Sequence, residues 1–397
     1  MRNLVNGKEW GETSGNSFPS SKDDSNKVLI VVNDNLKIQD ILPGLFNSQQ
    51  SFALVQHNRI TDNFKKLASE QGFHIVHTRP ELESYKNPGS KRNIFVLTSG
   101  TTGLPKFVKH DDNSLNTFVK LQNTEPLTWF VPAPLGTYAW FQMVYLSLSI
   151  PGQDLLIPEP EEVGMEFQRL MSKTIVTAIS CTPTFLKYMV LSFGLESCRN
   201  LGIKIVTLGG EISTELDLNL ARELFPNARI TQVYALSEVG PVFTSNDGRE
   251  GFPLTRYLRG RDFELDNDEL IVPQSRSGDM KTWYRTGDLA KLSENRIVIE
   301  GRIDKDFVNV GGNRVSLKKI EQITEGHDSI VWAKARPSPS KLMGNLIVVE
   351  AVIRAQTDSN LVEEELNRLY LRELAEFEIP SKIEFFKSVP MNRNLKK

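Results

Sequence analysis

Short apolar runs recur along the first two thirds of this chain, and they narrow the possible folds more than any other feature. Val28-Leu29-Ile30-Val31-Val32, Phe73-His74-Ile75-Val76 and Ile94-Phe95-Val96-Leu97 read as strands. Between the first two, Asn58 to Glu70 carries Ile60, Phe64 and Leu67 at helical spacing. Continuous apolar strands are buried on both faces, and such strands belong to parallel sheets covered by helices. The same alternation continues. Ser114 to Gln122 reads as a helix, Trp129 to Val131 as a strand, and Leu135 to Ile150 as an apolar, aromatic helix. Ile175 to Cys181, Lys204 to Leu208 and Arg229 to Val233 read as further strands. The expectation is an α/β fold with helix-covered, mostly parallel sheets. Past Gly301 the pattern changes to short strands at Phe307, Val331, Leu346 and Ile383, with helices over Leu317 to Thr324 and Asn360 to Leu374. That segment reads as a smaller α+β domain. The expected division is 1–302 and 303–397.

Composition excludes several classes of function. The chain has 397 residues, 39% hydrophobic and 24% charged, with a formal net charge of -2. Acids and bases are mixed along it, so no surface for nucleic acid or for an anionic membrane is expected. No run approaches the length of a membrane span. Cys181 and Cys198 are too few for a disulfide framework, and the polar N-terminus lacks an apolar signal core. The expected location is the cytoplasm.

The candidate chemistry sits where apolar strands end. Thr98-Ser99-Gly100-Thr101-Thr102-Gly103-Leu104-Pro105-Lys106 follows the Ile94–Leu97 run. Its backbone amides and hydroxyls can all point at one anion, and Lys106 adds a point charge. These are the parts of a polyphosphate cradle, although Pro105 before and Phe107 after the lysine exclude a Walker loop. Lys204 to Leu208 runs into Gly209-Gly210-Glu211, and Arg229 to Val233 into Tyr234-Ala235-Leu236-Ser237-Glu238. The second places a flat aromatic, a hydroxyl and a carboxylate at a strand end, the groups that stack a base, touch a phosphate and hold Mg²⁺. Tyr284-Arg285-Thr286-Gly287-Asp288 reads as a turn with an exposed acid, either a ribose ligand or a plain turn residue. His74 and His77 fall on opposite faces of a strand and read as no metal pair.

Taken in order, T-S-G-T-T-G-x-P-K, G-G-E, Y-x-x-[ST]-E, Y-x-T-G-D, G-R-x-D and a final P-x-x-x-N-x-K resemble the adenylate-forming superfamily. It includes acyl-CoA synthetases, peptide-synthetase adenylation domains and firefly-type luciferases. The resemblance runs from about Arg92 to Lys396. It implies a large N-terminal domain and a small mobile C-terminal domain. Position by position, it implies that Thr98, Ser99, Gly100, Thr101, Thr102, Gly103 and Lys106 hold the ATP phosphates. Gly209, Gly210 and Glu211 would line the adenine, Tyr234 with Ala235 would stack on it, and Ser237 would touch phosphate. Glu238 would bind Mg²⁺, and Asp288 and Arg302 the ribose. Asp304 matches the hinge, Gly311 and Gly312 the tunnel for a pantetheine thiol, and Lys396 the lysine of the adenylation step. Phe107, Ala235 and Leu395 each stand where the family has glycine, without removing a charged participant. Few residues precede the phosphate loop, so a reduced N-terminal subdomain is expected.

The resemblance also bears on the substrates. Amino-acid adenylation needs a carboxylate against the substrate ammonium, because an unpaired buried charge is expensive. The family places that acid just after the Pro134 turn. Here the residues are Gly136-Thr137-Tyr138-Ala139-Trp140, so an α-amino acid is not expected. Tyr138, Trp140 and Phe141, with Leu236 and Val239, suit an aryl or fatty acid. The acceptor would be the thiol of CoA or of the phosphopantetheine of an acyl carrier protein, a separate chain since no carrier motif follows Lys397. Two other functions fit the same motifs: an adenylating enzyme that passes the acyl group to a non-thiol acceptor, and a non-catalytic acyl-AMP or nucleotide-binding module.

Overall fold

The computed structural model describes residues 3–5, 8–10, 27–33, 36–85, 92–99, 105–117, 125–158, 176–199, 201–273, 283–303, 306–310, 313–340 and 343–389. The chain divides into two compact units. One is Met1–Ser180 with Leu236–Pro241, the other Cys181–Ala235 with Val242–Lys397.

The first unit holds the sheet that the N-terminal apolar runs predict. Its strand order is Phe73–Val76, Lys27–Val32, Ser51–Gln56, Ile94–Ser99 and Pro105–His110. The first four strands are parallel and the last is antiparallel. Leu29, Val31, Ala53, Val55, Phe95 and Leu97 bury one face against Phe64 and Ala68 of the Asp62–Glu70 helix. That helix begins later than the spacing from Asn58 predicts. Thr61 stays extended, and its side chain accepts the Phe64 N–H, so the cap sets the start. Of the predicted Ser114–Gln122 helix, residues 118–122 lie outside the described residues, and the described part shows one short helix. It runs over Asp112–Leu115, because Asp111 caps it through the Ser114 N–H and Asn116 leaves the helical region. A second group of parallel strands pairs Leu127–Phe130 with Gln153–Ile157 on one side and Ala178–Cys181 on the other. Between the first two lies the predicted aromatic helix, Tyr138–Ser149, capped by Thr137.

In the second unit, Ile205–Gly209 and Arg229–Leu236 are parallel neighbours. A five-stranded antiparallel sheet follows, in the order Phe252–Pro253, Arg296–Arg302, Trp283–Ser293, Glu269–Pro273 and Glu264–Asp266. The C-terminal segment contains the Phe307–Val310/Asn313–Ser316 hairpin and a three-stranded sheet of Ile330–Ser340, Gly344–Ile353 and Lys382–Phe386. Ile320 of the Leu317–Glu325 helix and Leu366 and Tyr370 of the Ser359–Glu373 helix pack on Ile330, Ala335 and Val349. This is the α+β composition expected past Gly301. Among the described residues, no helix is long and apolar enough to cross a membrane.

Candidate nucleotide site

The Ile94–Ser99 strand delivers the chain to the phosphate-cradle motif, and Pro105–His110 carries it back. The two strands pair in register, with Thr98 opposite Lys106 and Ser99 opposite Pro105. Thr98 and Ser99 of the motif therefore end one strand, and Pro105 and Lys106 begin the next. The return strand is not evident in the sequence, because Lys106 and Lys109 interrupt its apolar pattern and it opens on a proline. An edge strand tolerates both. Lys106 is exposed and Thr98 partly buried. Gly100, Thr101, Thr102 and Gly103 lie outside the described residues, as does the side chain of Ser99. Asp304, Gly311, Gly312 and Lys396 also lie outside them.

Glu211 and Tyr234 border one small, partly open pocket with room for about 30 Å³, also lined by Gln232, Glu250, Gly251 and Phe252. Gly209 and Gly210 lead into it from the end of the Ile205–Gly209 strand. The Glu211 carboxylate is oriented by the Thr184 N–H, 3.1 Å away at the start of the Pro183–Phe193 helix. Tyr234 is within the Arg229–Leu236 strand rather than beyond its end, and its ring stacks at 5.8 Å on Phe243. Gln232 was overlooked in the sequence, yet two-residue periodicity puts it on the same face as Tyr234. Its amide donates to the carbonyls of Arg249 and Gly251. Arg296, buried on the Arg296–Arg302 strand, braces the same loop. It donates to both carboxylate oxygens of Asp247 and to the carbonyls of Arg249, Glu250 and Gly251. Burial raises the pKa of the Glu250 carboxyl that faces the cavity.

Asp288 corrects the sequence reading. It is neither in a turn nor exposed: it lies within the Trp283–Ser293 strand at 5% exposure, directly opposite Arg302. Burial is tolerated because the carboxylate is satisfied. The Tyr234 hydroxyl donates to it, Arg302 Nε lies 3.3 Å away, and its own N–H donates to Thr286 Oγ1 at 3.0 Å. Gly287 permits the local geometry. Its φ of +70° is a conformation that side chains disfavour, and its N–H turns to Glu269 at 3.1 Å. Burial, reinforced by the Asp288 charge, pushes the Tyr234 hydroxyl well above its ordinary 10, so it remains a donor. The structure thus brings Glu211, Tyr234, Asp288 and Arg302 into one connected constellation in the second unit.

Ala235, partly buried, is the last residue of the Arg229–Leu236 strand in the second unit; in the first unit, buried Leu236 ends the strand, and Ser237 and exposed Glu238 form the turn after it. The Ser237 carbonyl is 2.6 Å from His110 Nε2. Burial lowers the His110 pKa, against the Ser237 carbonyl and the nearby Asp111 and Glu238 charges. Trp140 and Phe141 are fully buried, Tyr138 nearly so, and Val239 partly buried. Phe141 packs on Phe52 at 6.1 Å, and the Trp140 indole N–H has no acceptor among the described residues. Among the described residues no group of three or more His, Cys, Asp or Glu side chains is arranged to hold a metal ion.

Residues 22–273 match the model of the AMP-binding enzyme family. The chain belongs to that family, whose members form acyl-adenylates. It is 22% identical over 426 residues to enterobactin synthase component E of Escherichia coli (strain K12), covering 94% of this chain and 77% of the other. It is 24% identical over 353 residues to the D-alanine–D-alanyl carrier protein ligase of Lactococcus lactis subsp. lactis (strain IL1403), covering 77% of this chain and 68% of the other. The benzoate CoA ligase structure from Burkholderia xenovorans LB400 superposes with a TM-score of 0.71 at 17% identity, covering 96% of this chain and 88% of that one. The fold is therefore the adenylate-forming fold.

Proposed function

We propose that this chain activates a carboxylic acid with ATP, releasing pyrophosphate, and transfers the acyl group from acyl-AMP to a pantetheine thiol. The observation that carries this reading is the constellation around Tyr234. An aromatic ring and the Glu211 carboxylate border one cavity, and the Asp288–Arg302 pair is hydrogen-bonded to that ring. In this proposal Gly209, Gly210, Glu211, Tyr234 and Ala235 bind the adenine, and Asp288 and Arg302 the ribose. Residues 98–103, Lys106 and Ser237 bind the phosphates. The donor chemistry also fits Mg²⁺, which is commonly bound by one or two carboxylates together with substrate phosphates. Glu238, an exposed carboxylate next to Ser237, would be the protein ligand. When bound, Mg²⁺ would offset negative charge on the phosphates.

In the reaction, a carboxylate oxygen of the acid forms a bond to the α-phosphorus as the bond to pyrophosphate breaks. Lys396, proposed on its motif alone, would stabilise charge developing on the phosphate oxygens. The remaining contribution is alignment of two anions that would otherwise repel. Domains over 1–302 and 303–397, a hinge at Asp304 and a thiol tunnel at Gly311 and Gly312 belong to the same proposal, as does a cytoplasmic location. The acid is aryl or fatty. Support for this comes from the apolar and aromatic character of Tyr138, Trp140, Phe141, Leu236 and Val239, and from the absence of an acidic residue across 135–141. The acceptor is CoA or a separate acyl carrier protein; the relatives' names include both kinds.

The test is acid-dependent ATP–pyrophosphate exchange over aryl, short-chain and long-chain acids, with D-alanine included and Lys396→Ala beside the wild type. Exchange with one acid class that disappears in the variant supports the proposal. Exchange with D-alanine alone would overturn the substrate assignment. No exchange with any acid would favour the binding-module alternative.

A further inference from the structure

We propose that His110 is a positioning residue that fixes the Ser237–Glu238 turn relative to Lys106; this rests on the adenylation reading above. His110 ends the Pro105–His110 strand and is only 6% exposed. Its Nε2 lies 2.6 Å from the Ser237 carbonyl oxygen and its Nδ1 3.0 Å from Ser114 Oγ. A carbonyl only accepts, so Nε2 carries a proton and donates it. Ser114 is itself held: the Asp111 N–H donates to its hydroxyl at 3.0 Å, and its own N–H donates to the Asp111 carboxylate at 2.9 Å. The imidazole therefore bridges a rigid capping turn and the backbone of the Ser237 turn.

The turn is also supported from its far end. Gly240 adopts φ +94°, and a Cβ there would come within 2.8 Å of Tyr138 Oη. The His110 and Tyr138 rings are themselves 5.3 Å apart. Exposed Glu238 sits between these two positions, so its Cα is placed by where Ser237 and Gly240 are held.

The strand supplies the functional link. Lys106 and His110 are four residues apart on one strand, hence on the same face and roughly 13 Å apart along it. One end of this rigid element carries the proposed phosphate lysine. The other end donates a hydrogen bond to the segment bearing the proposed Mg²⁺ carboxylate. His110 thus sets the spacing between two groups that would act on the same polyphosphate without touching the nucleotide itself.

The experiment compares His110→Gln, His110→Asn and His110→Phe with the wild type. Glutamine can put an amide N–H near the Nε2 position, whereas asparagine reaches only the Nδ1 position and phenylalanine supplies neither. Two quantities are read: ATP affinity by calorimetry with and without Mg²⁺, and the Mg²⁺ concentration giving half-maximal pyrophosphate exchange. The expected result is that His110→Asn and His110→Phe lose the Mg²⁺-dependent gain in ATP affinity and need about tenfold more Mg²⁺, while His110→Gln remains within about threefold of wild type. A purely structural role would lower melting temperature and kcat alike in all three and leave the Mg²⁺ requirement unchanged; that outcome overturns the inference. If His110→Phe does not fold, the contrast between Gln and Asn decides. An active wild type with Gln and Asn variants indistinguishable from each other refutes the positioning role alone. A wild type that exchanges with no acid refutes the adenylation reading, and this inference with it.

Discussion

Tyr234 illustrates how much one hydroxyl can organise. Its donation to Asp288 satisfies a buried carboxylate and holds the ring at the cavity wall. Tyr234→Phe leaves that carboxylate with one donor fewer, so a loss of about 1–2 kcal/mol in unfolding free energy is expected, measured by urea titration. On the adenylation reading the variant also binds ATP more weakly. Asp247 gives a prediction in pH. Burial pushes its carboxyl up, but the hydrogen bonds from Arg296 outweigh this and hold it at about 2, below the ordinary 3.8. A carboxylate depressed in the folded state contributes stability above pH 3.8 and loses it as pH falls towards 2. Denaturation midpoints recorded from pH 5 to pH 2 should therefore fall less steeply in Asp247→Asn than in the wild type. Equal slopes would show that the Arg296 contact does not couple to folding.

The turn before the Tyr138–Ser149 helix separates backbone strain from steric collision. Gly136 has φ +78°, and its carbonyl accepts the Leu97 N–H at 3.0 Å, so it ties that turn to the strand leading into the phosphate cradle. A Cβ at Gly136 would sit 2.0 Å from the Leu54 carbonyl oxygen. Gly194, which follows the Pro183–Phe193 helix, has a nearly equal φ of +76° but open space where a Cβ would go. Gly194→Ala is expected to cost about 1 kcal/mol, for the conformation alone. Gly136→Ala should cost about 3 kcal/mol or more, because backbone as well as conformation must give way. Thermal melts of the two variants test this, and similar losses would mean that the Leu54 strand yields easily.

The second unit is held together by a buried ion cluster that joins helices far apart in the chain. Lys187 Nζ lies 3.0 Å from Asp217 and 2.6 Å from Glu325, with both carboxylates almost inaccessible. Burial disfavours the ammonium, but the two acids together raise its pKa above the ordinary value. The cluster joins the Pro183–Phe193, Glu215–Leu224 and Leu317–Glu325 helices, and Glu325 in turn accepts the Ala333 N–H at 3.0 Å. Removing one member strands a buried charge. Lys187→Met is therefore expected to destabilise by about 3–5 kcal/mol. Glu325→Gln should cost less, since Asp217 still neutralises the lysine. A double-mutant cycle in urea should show strong non-additivity; additive losses would mean that the cluster is solvated.

What was legible in the sequence, and what was not, divides along the range of the forces involved. The parallel strands, the Tyr138–Ser149 helix and the change to α+β composition past Gly301 follow from local apolar runs, which act within a few residues. Glu211 and Tyr234 were visible because each sits near the end of an apolar strand, where such folds place ligands. Asp288 was visible as a motif but misread as exposed. Its burial depends on Tyr234 and Arg302, and neither is near it in sequence. The Arg296 brace and the His110 contact with Ser237 were not legible for the same reason. Each depends on a hydrogen bond or ion pair between segments that meet only after the chain has folded, and in a low-dielectric interior those pairings decide which polar groups can be buried.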